Sequence, residues 1–239
     1  MYWEIILIIL FILIGLLFTR KYIVSLTTIP SRIGEIKRTI DSLKNQILRP
    51  QKIIINIPKI YERFGTSITK IPDFLKNDPM VHINIIEEDY GPATKMLGML
   101  NMDIPPNMIV LICDDDVVYK KSWSLRLLVS VILCGKCVYS LNGKREKKPT
   151  IFGNNGWGFY RRSVNKDDIL RSYYKNKQHC NMVDDEFFTN YFNKKLKTKK
   201  DGNLYSGDVR KVQKTDGLHQ LAGVHKRKPS QQKCNKNFN

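Results

Sequence analysis

The 239-residue chain predicts an α/β fold, an open sheet with flanking helices preceded by an N-terminal transmembrane helix. Three observations predict it. Residues 108–112 form a nearly continuous apolar run, the pattern of a strand buried on both faces, and it ends abruptly at Asp114, Asp115 and Asp116. Residues 22–57 read as strand, amphipathic helix and strand, a βαβ unit. Residues 2–18 are apolar except for Glu4.

The apolar stretch comes first. As a helix its 17 residues would span roughly 26 Å, at the short end of what crosses a bilayer. A cleaved signal peptide would need a basic start and a small-residue cleavage site, and neither is present, so residues 1–19 are expected to be an uncleaved anchor. Arg20 and Lys21 follow the stretch, which places the main body, residues 20–225, on the cytoplasmic side of a single-pass membrane protein. The absence of any Asn-x-Ser/Thr sequon agrees. Lys and Arg number 40 against 22 Asp and Glu, and the net charge of +18 implies an anionic partner. The five cysteines are irregularly spaced, and Cys134 and Cys137 have no second pair at zinc-site distance, so free thiols are expected.

Within the body, residues 22–26 form a strand that ends in a loop carrying Thr28 and Arg32. Apolar residues at 33, 36, 40, 43 and 47 mark a helix, and residues 52–57 a second strand. The first strand–helix loop of such a unit is a usual nucleotide position, so Thr28 and Arg32 are candidates to hold phosphate or base; cap and surface roles are the alternative. Neither GxGxxG nor GxxxxGK[ST] occurs. Residues 81–86 alternate as a third strand, and Gly91-Pro92 marks a turn into a helix with Lys95 in its first turn. The helix dipole disfavours a cation there, so Lys95 is expected to answer an anion such as phosphate.

The central strand follows. Its three adjacent carboxylates repel at roughly 1 kcal/mol per pair at ~4 Å in water. Mg²⁺ or Mn²⁺ would relieve this, since hard cations prefer carboxylate oxygen, and the cluster reads as a metal–diphosphate site; a solvated acidic turn is the alternative. A helix at 122–133, a strand at 137–141 and a basic turn at 143–148 come next. The glycine- and aromatic-rich run 151–160 offers Gly156 and Trp157 as a platform for a sugar ring, or else a hairpin with core aromatics. Asp184, Asp185 and Glu186 open another helix; one carboxylate suffices for a cap, so a further one is a candidate catalytic base. Residues 200–203 read as a hairpin turn, His219 is a candidate further metal ligand, and residues 226–239 look like a basic disordered tail.

Taken in order, residues 22–32, Asp89-Tyr90-Gly91-Pro92-Ala93-Thr94-Lys95, Asp114-Asp115-Asp116, Val183-Asp184-Asp185 and, more weakly, Asp216-Gly217-Leu218-His219 resemble a GT-A glycosyltransferase of the small family-2-like type found in large DNA viruses. The resemblance implies the GT-A fold, a Rossmann-like mixed sheet with flanking helices. It implies transfer of a sugar from a UDP- or GDP-sugar to a hydroxyl of a glycan, lipid or protein acceptor. Mn²⁺ or Mg²⁺ would sit between Asp114, Asp116, His219 and the diphosphate. Thr28, Arg32, Lys95, Asp114 and Asp115 would hold the nucleotide sugar with Gly156 and Trp157, and Asn56 stands where similar enzymes read the base. Inverting members use a carboxylate to deprotonate the acceptor, here Asp185 first and Asp184 second.

Two rival readings fit parts of the sequence. Asp114-x-Asp116-x-Val118 fits a haloacid-dehalogenase-type phosphatase with Asp114 as nucleophile, but three strands precede it and the Gly-Pro-Ala-Thr-Lys segment would then have no role. A basic, membrane-tethered nucleic-acid-binding module fits the net charge, but no RNP, zinc-finger or helix-turn-helix signature occurs and the acidic clusters would repel a phosphate backbone, so no nucleic-acid partner is expected.

Overall fold

The computed structural model describes residues 21–142, 149–200 and 224–238, with scattered positions before residue 20. Strands β1 (Tyr22–Thr27), β2 (Lys52–Pro58), β3 (Val81–Ile86) and β4 (Ile109–Ile112) run parallel. β5 (Val138–Asn142) and β6 (Trp157–Tyr160) pair antiparallel, β6 is also antiparallel to β4, and β7 (Leu196–Lys200) is parallel to β5. The order across the seven strands is β3-β2-β1-β4-β6-β5-β7.

Side chains leave the pleat alternately, and both faces are covered. Val24, Leu26, Ile53, Ile55 and Leu111 pack on one face under helices α1 (Lys37–Lys44) and α2 (Asp73–Lys76), together with α4 (Trp123–Cys134). Ile23, Ile54, Val110, Ile112 and Phe159 pack on the other. That face is covered by α3 (Thr94–Leu97), α5 (Lys166–Cys180), α6 (Asp184–Phe192) and α7 (Val224–Asn237). Double coverage is why β1, β2 and β4 read as continuous apolar runs instead of alternating ones. Truncating a residue as enclosed as Leu111 to alanine would cost about 2–5 kcal/mol.

Several elements differ from their sequence pattern. The first helix starts only at Lys37, because residues 30–36 form turns that carry Arg32 toward the strand ends. α5 and β7 were not anticipated. β7 carries Lys197, Lys199 and Lys200, and forms through backbone pairing with β5 at a sheet edge, where lysines are well tolerated. The presumed tail is instead helix α7. Its few attachments follow no apolar period: Cys234 is disulfide-bonded to Cys180, Asn190 Nδ2 donates to Asn235 Oδ1 at 2.8 Å, and Phe238 lies against Phe187. Closing that 54-residue separation is worth about 4 kcal/mol by chain entropy. Cys134 and Cys137 form a second disulfide, so of the five expected free thiols only Cys113 is free, and it is buried.

No helix among the described residues is long and apolar enough to cross a membrane. The anchor expected at 1–19 falls mostly outside the described residues, as do His219 and all but the first residue of the hairpin turn at 200–203.

Candidate functional site

At the carboxyl ends of β1 and β4 the acidic run leaves the sheet. Its backbone is pinned on both sides: Thr39 Oγ1 donates to the Asp115 carbonyl at 2.8 Å, and the Asp114 N–H donates to Tyr119 Oη at 3.0 Å. The three carboxylates therefore point to different partners. Arg32, from the loop after β1, places Nη2 3.0 Å from Asp115 Oδ1 and Nη1 3.1 Å from Asp116 Oδ2. Lys95, from α3, places Nζ 2.5 Å from Asp114 Oδ1 and 2.9 Å from Asp184 Oδ2.

The turn that opens α6 reaches the same place. Val183 is the N-cap residue and no side chain caps the helix, so none of the acids there serves as the cap. Asp184 goes to Lys95, while Asp185 Oδ1 accepts the Gly153 N–H at 3.0 Å. Two glycines permit this closeness. A Cβ on Gly153 would lie 2.3 Å from Asp114 Oδ1 and 2.5 Å from Lys95 Nζ. Gly91 has φ +58, and a Cβ there would lie 2.7 Å from the Asn181 carbonyl, so the loop carrying Lys95 can press on the turn carrying Asp184.

The electrostatics follow from one buried cation among several carboxylates. Burial lowers the Lys95 pKa, but Asp114, Asp184 and Asp185 more than offset it and hold the ammonium well above its ordinary value. Asp185 is raised well above the usual carboxylate range by burial and by Asp184 and Asp114, against the pull of Lys95. Burial likewise pushes Asp115 up to about 6 against the pull of Arg32, with Asp116 adding to the rise.

Thr28, Arg32, Lys95, Asp114, Asp115, Asp116, Asp184 and Asp185 thus lie in one continuous constellation. Three other candidates do not join it. Asn56 is fully buried, donating to Ser25 Oγ at 2.8 Å and the Leu26 carbonyl at 3.0 Å and accepting from Asn84 Nδ2 at 2.8 Å; it ties strands together and faces no nucleotide. Trp157 is 1% exposed and packs on Phe159, Phe188 and Phe192, so it is a core aromatic and no sugar platform. Gly156 has φ +84 and lies against the Trp123 indole. Lys95 answers an anion, as its position demanded, but that anion is a pair of the protein's own carboxylates. Gly153 and Tyr119 also belong to the site. The glycine-rich run hinted at the first; nothing in the sequence hinted at the second.

Among the described residues no three metal-ligating side chains converge on one point. A divalent ion of the Mg²⁺ type needs less: one or two carboxylates, with phosphates and water completing its shell. Asp114 and Asp116 keep 28% and 24% of their side chains exposed, so the residues fit such an ion. Beside them, Thr28 Oγ1 and Asp115 Oδ2 are close enough to interact but complete no hydrogen bond of ordinary geometry, and Arg32 Nε has no hydrogen-bond partner among the described residues. Buried polar atoms in native proteins nearly always have partners, which marks this side of the cluster as a place for a polar ligand.

No family model and no curated sequence matches the chain. Solved structures do. The 2-C-methyl-D-erythritol 4-phosphate cytidylyltransferase of Francisella tularensis aligns with 85% of this chain and 98% of its own, at 11% identity and a TM-score of 0.54. The glucosyl-3-phosphoglycerate synthase of Mycobacterium tuberculosis aligns over 90% and 80%, at 11% identity and 0.53. A mannosyltransferase of Pyrobaculum calidifontis, solved with GDP-mannose and Mn²⁺, aligns over 84% and 60%, at 14% identity and 0.52. At these identities the likeness is one of fold: the sheet and its helices are of GT-A type.

Proposed function

We propose that this protein is a metal-dependent glycosyltransferase that moves a sugar from a nucleotide-diphosphate donor to an acceptor hydroxyl, with Asp185 as the base. One observation carries the reading: Lys95 pairs with Asp184 and Asp114, while neighbouring Asp185 keeps a raised pKa at the carboxyl end of the sheet. In open α/β sheets that end is where ligands bind. A carboxylate whose proton affinity lies near the working pH is well placed to accept a hydroxyl proton. Asp184, paired with Lys95, is the weaker candidate.

In this reading Arg32 fixes Asp115 and Asp116, and Thr28 with the unpartnered edge of Arg32 faces the nucleotide. Asp116 and Asp114 would hold Mn²⁺ or Mg²⁺, which when bound supplies Lewis-acid neutralisation of the departing diphosphate. Lys95 sets the position of Asp114 and Asp184. Asp185 takes the acceptor's proton as the new glycosidic bond forms and the nucleoside diphosphate leaves. The fold likeness to a mannosyltransferase solved with GDP-mannose and Mn²⁺ supports the donor class, and the donor's sugar, the acceptor and the stereochemical course belong to the same proposal. The phosphatase alternative needs Asp114 as an open nucleophile, and it is ion-paired with Lys95 instead.

The test is a thermal-shift panel of UDP-, GDP-, CMP- and dTDP-sugars with and without Mn²⁺, followed by product analysis. One diphosphate donor should raise Tm only with metal, Asp116→Ala should abolish that rise with the fold intact, and turnover should release a nucleoside diphosphate. Release of pyrophosphate would point to nucleotidyl transfer and overturn the reading.

A further inference from the structure

The acidic side chains of the candidate site gather at one end of the sheet. At the carboxyl end of the sheet stand Asp89, Asp114, Asp115, Asp116, Asp184 and Asp185. The opposite end can be traced from the register. Tyr22 of β1 pairs with Ile109 of β4, which pairs with Tyr160 of β6; β2, β5 and β7 all start on this side. Basic side chains enter these strands one after another. Lys21 precedes β1, Arg49 and Lys52 lead into β2, Lys136 into β5, and Lys194 and Lys195 into β7, and all six are exposed. Among the described residues the acids nearby are Asp103, Asp167 and Asp168, of which Asp168 accepts the Tyr191 hydroxyl at 2.6 Å, and Asp78, which is paired with Lys44.

Two exposed apolar side chains share the connections at this end, Ile47 at 50% before β2 and Leu133 at 83% before β5. The chain also enters β1 here, directly after the apolar sequence 2–18 and Arg20-Lys21. A basic rim with isolated aliphatic side chains beside an apolar segment matches a bilayer interface with acidic headgroups.

We propose that the amino-terminal end of the sheet is a docking surface for an acidic lipid bilayer, seated by Lys21, Arg49, Lys52, Lys136, Lys194 and Lys195. Ile47 and Leu133 enter the headgroup layer. The acidic constellation is then held about 20 Å above the lipid, the length of a six-residue strand, and faces water. The surface is independent of the transfer chemistry, so it stands or falls without it.

The experiment reconstitutes the full chain into vesicles of phosphatidylcholine alone or with added phosphatidylserine and maps lysine acetylation by mass spectrometry. Phosphatidylserine should protect Lys52, Lys136 and Lys195, while Lys59, exposed after β2 at the other end, labels equally in both. Lys52→Gln with Lys136→Gln should weaken acidic-vesicle recruitment by roughly fivefold per lysine, since each is worth about 1 kcal/mol near the surface, without altering Tm. Equal labelling in both vesicles would mean that the apolar segment only tethers the body, and would overturn the proposal. Protection of the same lysines by RNA at ~150 mM salt but not by phosphatidylserine would overturn it in favour of a nucleic-acid surface.

Discussion

Lys95 Nζ lies 2.9 Å from Asp184 Oδ2, and this ion pair joins α3 to the turn that opens α6. The same nitrogen holds Asp114 at the end of β4, so three segments distant in sequence meet on a single cation.

Removing that cation should be costly. Lys95→Met leaves Asp184 buried, and Asp114 partly buried, without their partner, and breaking a buried pair this way costs about 3–5 kcal/mol. Urea denaturation should show a lower midpoint with an unchanged slope. The double variant Lys95→Met/Asp184→Asn should recover part of the loss, because one uncompensated charge goes with it.

Gly153→Ala tests the close approach. A methyl group there collides with Asp114 Oδ1 and Lys95 Nζ, so the cluster must shift by an ångström or so. Misplacements of that size can cost about 10²-fold in rate. Steady-state kinetics should show the loss mainly in kcat, with a well-folded far-UV spectrum.

Asp185→Asn should retain metal-dependent donor binding in the thermal-shift panel and lose about 10²–10⁴-fold in transfer. Asp184→Asn should act mainly on stability, through Lys95. If Asp185→Asn transferred sugar at the wild-type rate, the assignment of the base would be wrong.

Away from the site, Asp78 sets part of the pH dependence of stability. Burial would raise its pKa, but the hydrogen bonds from Lys44 and the Met80 N–H and the charges of Lys44 and Lys37 outweigh it and hold the carboxyl below the ordinary range. A group depressed on folding contributes stability above its unfolded pKa and loses it as pH falls through the folded value. Wild type should therefore lose about 1 kcal/mol more than Asp78→Asn as pH is lowered below ~4, read from urea midpoints.

Much of this architecture is legible in the residues. β2 and β3 fall within a residue of where their apolar runs place them, because strands buried on both faces leave an unambiguous signal. Arg32, Lys95, Asp114, Asp184 and Asp185 were recognisable as polar groups at element ends, where ligands bind in such sheets. What could not be read is contact across the chain. Asn56 looks like a site residue until Ser25 and Asn84 are seen to satisfy its amide, and Trp157 looks like a platform until Phe188 and Phe192 cover it. β7 escaped because its lysines hide a strand that only pairing with β5 creates. α7 escaped because its anchorage is a disulfide to a cysteine in α5.

The Cys180–Cys234 disulfide joins residues 54 apart, and the turn bearing Asp184 and Asp185 lies within the loop it closes. Thiol oxidation takes seconds to hours, far slower than helix formation, so α7 becomes fastened to α5 only after both helices can form. A nascent chain stalled before residue 234 would already display the acids but lack their brace. The folded protein acquires that brace as a late covalent event.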